Sequence, residues 1–227
     1  MSIDTHLSRP WTNQEWMRDL LRTGDYSDLT ISCKGYPFKV HRAIICPRWH
    51  HFNTAVSDVF KEPGYWALDL PDDDPVTIFR VLEYLYTEDY TEEGWIAQFV
   101  SSTEGKFACS RRPRECPIAL QIPWNNIQVY LTAEKYQISS LMTLAAKKLH
   151  RWAEEYRRSV AFLDILEEVL TLELGAQSKL RSLFVQLTVD YIHDFIERPQ
   201  FHKILKQFVG FEHEVLISVV TNRLSRP

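Results

Sequence analysis

The spacing of apolar residues differs between the earlier and later parts of this chain, and that difference constrains the fold class more than any single motif. In three stretches before Pro71, apolar residues recur at every second position. Leu29, Ile31 and Cys33 alternate with Thr30 and Ser32, Phe38 and Val40 flank Lys39, and Trp66, Leu68 and Leu70 keep the same rhythm. That is the pattern of a half-buried strand, whose side chains point alternately to its two faces. After Pro71 the apolar residues take helical spacing. A helix, a few strands mixed with short helices, and then helices alone is the order of an α+β fold with a helical tail. The chain has only 7 glycines in 227 residues, well under the usual share of ~7%, which disfavours a turn-rich all-β fold.

Trp11–Arg22 is expected as a helix. Thr12 or Asn13 can cap it, Glu15 lies in its first turn, Trp16, Leu20 and Leu21 form an apolar stripe, and Gly24 is placed to end it. Gly35-Tyr36-Pro37 gives a turn into the returning strand Phe38–Val40, and short helical pieces are expected at Ala43–Cys46 and His50–Phe60. Asp74-Pro75 opens the next helix, whose buried side is read as Val76, Phe79, Leu82, Tyr84, Leu85 and Tyr86. From Thr91 to Pro123 periodicity lapses, with Gly94, Gly105, Pro113 and Pro117 along the way. This stretch is expected as an inserted, protease-sensitive loop with a short helix at Trp95–Val100. Helical spacing resumes at Asn125 with Ile127, Tyr130 and Leu131. Further helices are expected at Ser139–Trp152, Ser159–Leu174, Ser178–Glu197, Gln200–Phe208 and Glu212–Leu224.

With 26 Lys+Arg against 30 Asp+Glu the net charge is -4, so no basic excess draws the chain to nucleic acid. The longest stretch without a charged side chain, Cys116–Ala133, contains Pro117, Pro123, Asn125 and Asn126, and no membrane span is expected. Met1–Pro10 has no apolar run of the secretory kind. The cysteines (Cys33, Cys46, Cys109 and Cys116) are therefore expected reduced, in a cytoplasmic or nuclear, intracellular protein. His41, Cys46, His50 and His51 lack finger or ribbon spacing, and Cys109 and Cys116 read as free thiols, so no metal site is expected. Asp69–Glu93 is rich in acids against the single base Arg80. Asp72, Asp73 and Asp74 suit a helix start, and the other acids are expected on a solvated face. Lys106, Arg111, Arg112 and Arg114 form the opposite cluster within the insert. No Gly-rich phosphate loop, nucleophile elbow or converging catalytic set is present, so neither an enzyme, a cofactor nor a small-molecule substrate is expected.

Read jointly, Asp28-Leu29-Thr30-Ile31, Phe38-Lys39-Val40-His41-Arg42-Ala43-Ile44-Ile45, Phe52, Phe60-Lys61-Glu62, Leu68-Asp69-Leu70, Phe79 and Leu82-Glu83-Tyr84-Leu85-Tyr86-Thr87 resemble the BTB/POZ domain. Val129-Tyr130-Leu131-Thr132-Ala133-Glu134-Lys135-Tyr136 and Leu141 resemble its Y-x-x-A-x-K-Y-x-x-x-x-L helix pair. The likeness spans residues 12–152 apart from the insert, and is nearest to the fungal BTB/POZ proteins that add a helical C-terminal region. Three departures stand out. Trp49 replaces the usual Ser, Glu88 follows Thr87 where Gly is common, and the insert replaces a connection of a few residues.

The resemblance implies a small mixed sheet flanked by helices. It implies an N-terminal arm and helix at 1–24, a BTB/POZ domain at 25–153 carrying the 91–123 insert, and a helical region at 154–227. It implies a non-catalytic protein–protein interaction module acting as a scaffold or dimerisation unit. In such a homodimer, Trp16 and Leu20 of the first helix would face a partner, with Asp28 and Arg42 forming a charged pocket nearby. Residues 1–10 show no strand alternation, so no swapped strand is expected. His41 would be a buried structural histidine and Cys46 a small core residue. One alternative is an adaptor for a cullin-type ubiquitin ligase. There Phe60 would fill a groove on the cullin and Glu62 would make polar contacts, matching the apolar-x-Glu signature of cullin-binding members. A second alternative is a transcription- or chromatin-associated dimerisation module.

Overall fold

A computed structural model describes residues 12–49, 67–93, 118–172 and 178–224. Strands β1 (Leu29–Cys33), β2 (Tyr36–Val40) and β3 (Ala67–Asp69) form one mixed sheet in the order β2-β1-β3. β1 is antiparallel to β2, with Leu29 opposite Val40 and Cys33 opposite Tyr36. It is parallel to β3, with Thr30 opposite Ala67 and Ser32 opposite Asp69. Leu29, Ile31 and Cys33 are buried while Thr30 and Ser32 are half-exposed, as the alternation requires. The turn lies one residue earlier than expected. Lys34 (φ 49°) and Gly35 (φ 79°) are both left-handed, which makes a two-residue hairpin loop whose twist matches the strands. Tyr36 and Pro37 therefore belong to β2, where Pro37 is tolerated because β2 is an edge strand. Trp66 and the piece expected at His50–Phe60 lie outside the described residues.

The helices among the described residues are α1 (Asn13–Thr23), α2 (Arg42–Arg48), α3 (Pro75–Thr87), α4 (Ile118–Lys135), α5 (Ser139–Tyr156), α6 (Val160–Thr171), α7 (Lys179–Asp190), α8 (Ile192–Phe195), α9 (Pro199–Gln207) and α10 (Val209–Leu224). Thr12 and Glu15 cap α1 reciprocally, the Glu15 N–H donating to Thr12 Oγ1 and the Thr12 N–H to the Glu15 carboxylate. Gly24 ends the helix at φ 67°, where a Cβ would stand 2.6 Å from Lys39 Cβ, so both conformation and close packing require glycine. Asp74 caps α3 by accepting from the Thr77 N–H, and Pro75 occupies the first turn. α3 is buried on nearly every side, Thr77, Arg80, Glu83 and Thr87 included, while Phe79 and Tyr84 are only half-buried. The one-sided stripe expected for it is thus a central helix.

The chain forms two compact units, Met1–Thr91 with Tyr136–Ile138, and Glu92–Lys135 with Ser139–Pro227. In the first unit α1 and α2 pack on α3, and the sheet supplies Ile31, Cys33 and Val40 to the core. The second unit is helical, with stacked rings running from Trp152 through Phe162 to Phe195. Several helix ends shift by a few residues, α5 running on to Tyr156 and α10 beginning at Val209, and two differences are larger. α4 begins at Ile118, within the stretch read as insert, and carries the buried Pro123 in its interior. The segment Ser178–Glu197, read as one helix, breaks at Tyr191 into α7 and α8. The helix expected at Trp95–Val100 lies outside the described residues. No helix among the described residues is long and apolar enough to cross a membrane.

Candidate interaction surface

α1 lies against α3 and β2 by one narrow edge. Leu21 is its only fully buried side chain. Gln14 Nε2 donates to the Thr87 carbonyl oxygen at 3.3 Å, and Arg18 Nε meets Glu83 Oε1 at 3.3 Å. The opposite face carries Trp16, which is 58% exposed; Leu20 is half-buried. Just beyond the helix, Tyr26 is 93% exposed and held at φ 63°, a backbone region bulky residues rarely occupy. Large aromatic side chains left in water beside a docked helix are the usual material of interface anchors.

A second group gathers where β2 meets α2. The Asp28 carboxylate accepts from the Arg42 N–H at 2.8 Å, and His41, the residue before α2, makes no side-chain cap. Asp28 therefore satisfies the first amide of α2 and sits at its positive end. Arg42 is half-buried; burial, with Asp28, holds the nearby Cys46 thiol above its ordinary pKa, and Arg42 pulls it part of the way down. His41 is half-buried rather than fully so. Its backbone N–H donates to the Tyr86 hydroxyl at 2.9 Å, Nε2 donates to the Asp25 carbonyl oxygen at 2.7 Å, and Nδ1 lies 2.7 Å from the same hydroxyl. A carbonyl only accepts, so in the neutral ring Nε2 carries the proton and Nδ1 accepts from Tyr86. Burial holds the Tyr86 hydroxyl above the ordinary tyrosine range, which keeps it a donor. Both ring nitrogens are engaged, so His41 is a structural residue. His50, His51, Cys109 and Cys116 lie outside the described residues.

The acidic run is only in part the solvated face the sequence suggested: Asp69, Glu88 and Glu93 are exposed, but other acids of the run turn inward. Glu83 is buried and accepts from the Thr91 N–H at 2.8 Å and the Thr91 hydroxyl at 3.0 Å. Asp73 is buried and accepts from the Tyr136 hydroxyl at 2.6 Å. Arg80 is buried as well, and its Nε donates to the Thr91 carbonyl oxygen at 2.9 Å. Desolvation lowers its pKa, while Asp74, Tyr90 and Glu83 pull it back up. In the second unit Glu92 meets Lys148 and Arg151 and accepts from Asn126 Nδ2 at 2.9 Å. These acids join segments of chain. Only Glu83 carries a sequence signal for this, an acid between Leu82 and Tyr84 in an apolar helix; Asp73 and Glu92 lie among other acids and carry none.

The mixed sheet, the capped central helix and the docked N-terminal helix make a pattern that comparison with protein families identifies. Residues 17–121 match the model of the BTB/POZ domain. This stretch is a BTB/POZ domain. BTB/POZ domains are protein–protein interaction modules, so protein partners follow from the fold. Trp16, one residue before the matched stretch, and Leu20 share α1, whereas Asp28, Arg42 and Cys46 form a separate group at the start of α2. Phe60 and Glu62 lie outside the described residues. In the second unit, Leu216, Ile217 and Val220 are exposed along α10, a face the sequence reading did not single out.

Proposed function

We propose that this chain is a non-catalytic scaffold that self-associates through α1 of its BTB/POZ domain, with Trp16 as the central anchor. The observation that supports this most is Trp16 itself, a tryptophan 58% exposed on a helix capped at both ends and packed on its own domain. Residues 1–10 show no strand pattern, so the dimer is held by helix contacts alone and is weaker than a strand-exchanged one. Light scattering over a range of concentration tests this. The mass rises toward that of a dimer for the wild-type chain and stays monomeric for Trp16→Ala. A mass independent of concentration and of Trp16 overturns it.

A second reading rests on Phe60-Lys61-Glu62, an apolar-x-Glu triplet, together with the helices that follow the domain. On this reading the chain recruits targets to a cullin-type ubiquitin ligase. Phe60→Ala combined with Glu62→Ala then abolishes cullin capture while circular dichroism stays unchanged. Failure of the wild-type chain to capture a cullin at micromolar concentration removes the adaptor role and leaves the scaffold. A transcription- or chromatin-associated role would use the same α1 face with a different partner. In each case the N-terminal arm and helix at 1–24 act together with the BTB/POZ domain at 25–153, residues 154–227 form a helical region that follows in the chain, and the chain works in the cytoplasm or nucleus.

A further inference from the structure

α1 is weakly rooted in its own domain. A helix of 11 residues is marginal in water on its own, and this one fully buries only Leu21. Met17 and Leu20 are half-buried, and two polar contacts that are not alike add to its hold. Gln14 reaches a backbone carbonyl at the end of α3. Arg18, about half exposed, reaches inward to Glu83, which is 5% exposed. Glu83 is fixed without any help from α1, because α3 carries it and Thr91 donates to both of its oxygens. It is a fixed catch, and Arg18 is the arm that closes on it.

We propose that Glu83 is a positioning residue that latches α1 in the placement displaying Trp16, and that α1 is released at this latch before the rest of its unit opens. The proposal rests on α1 being the interaction helix for its consequence, not for its test. Local opening of a poorly buried element below the global unfolding energy is ordinary behaviour in proteins. What is specific here is that one shared carboxylate controls it.

Hydrogen exchange by mass spectrometry on the full chain tests the latch. Glu83→Gln keeps an acceptor for Thr91 and loses the charge that draws Arg18; Arg18→Met removes the arm and leaves the catch. In each variant the amides of Trp16 to Leu21 exchange about tenfold faster, while those of β1 keep their wild-type rates. Combining the two changes gives no further acceleration, and Arg18→Lys restores most of the protection. Unchanged exchange in α1, or equal acceleration in α1 and β1, overturns the latch. If the wild-type chain proves monomeric at every concentration, self-association through α1 fails, and the exchange result still decides the latch by itself. If the chain does dimerise, both variants weaken the dimer in proportion to the loss of protection.

Discussion

Glu88 occupies a position that suits glycine. It ends α3 at φ 63° with its N–H bonded to the Tyr84 carbonyl oxygen, and left-handed backbone costs a residue with a Cβ about 1–2 kcal/mol. Its salt bridge to Arg48, at 3.2 Å with the glutamate side chain 74% exposed, returns little. Glu88→Gly is therefore expected to raise stability by about 0.5–1 kcal/mol in urea denaturation; a loss of stability would show that the Arg48 contact outweighs the strain. Cys33 carries a pH signature. Its thiol donates to the Asp73 carbonyl oxygen at 3.2 Å, and burial, reinforced by Asp73, pushes its pKa from 9.0 to about 12. The folded state thus binds this proton more tightly than the unfolded chain. The associated stability is intact below about pH 9 and is lost as pH rises toward 12. Tyr86 and Tyr136 are shifted upward as well, burial being the main cause for both, and they add to the alkaline loss. Urea midpoints should fall steadily above about pH 9, and Cys33→Ala should flatten part of that fall. A midpoint constant to about pH 11 contradicts the assignment.

At the scale of elements, Glu92 shows how the chain is fastened after α3. Its backbone carbonyl oxygen accepts from Asn125 Nδ2 at 2.8 Å, and its carboxylate meets Asn126, Lys148 and Arg151 on α4 and α5. Lys148 and Asn126 are buried, so removing the carboxylate deprives buried donors of an acceptor. Glu92→Ala is expected to cost about 2–3 kcal/mol, read as a lower urea midpoint; a cost below about 0.5 kcal/mol would place the clamp in the exposed class. The elements whose signals are local were legible in the sequence. Thr12, Gly24, Asp74 and Pro75 stop or start helices through contacts made within a few residues, and the alternation in β1 reports one buried face. The rest depends on distant neighbours. Glu83 looks like a solvated acid and Asp73 like a helix-start acid until Thr91 and Tyr136 are brought against them. Pro123 reads as a loop residue because proline usually ends helices, yet it lies inside α4. Trp16 was visible as part of a stripe, but the division of that stripe into buried Leu21, half-buried Leu20 and exposed Trp16 is set by where α3 sits.

For the molecule as a whole, a net charge of -4 supplies little field to steer or oppose the proposed association through Trp16, and salt should affect it only modestly. Two compact units assign the roles. The first holds α1, its latch at Glu83 and the corner built by His41, Asp28 and Arg42. The second holds the helices fastened through Glu92. Among the described residues, the polar side chains of His41, Asp73, Glu83 and Glu92 hold segments together, and the account places function on the exposed face of α1. Sedimentation equilibrium of the full chain beside its Trp16→Glu variant, over a wide concentration range, tests this most directly. The account predicts a reversible wild-type dimer and an association constant reduced about 30-fold or more in the variant, as expected for loss of a central anchor. A wild-type chain that remains monomeric, or a Trp16→Glu chain that dimerises as well as the wild type, would contradict it.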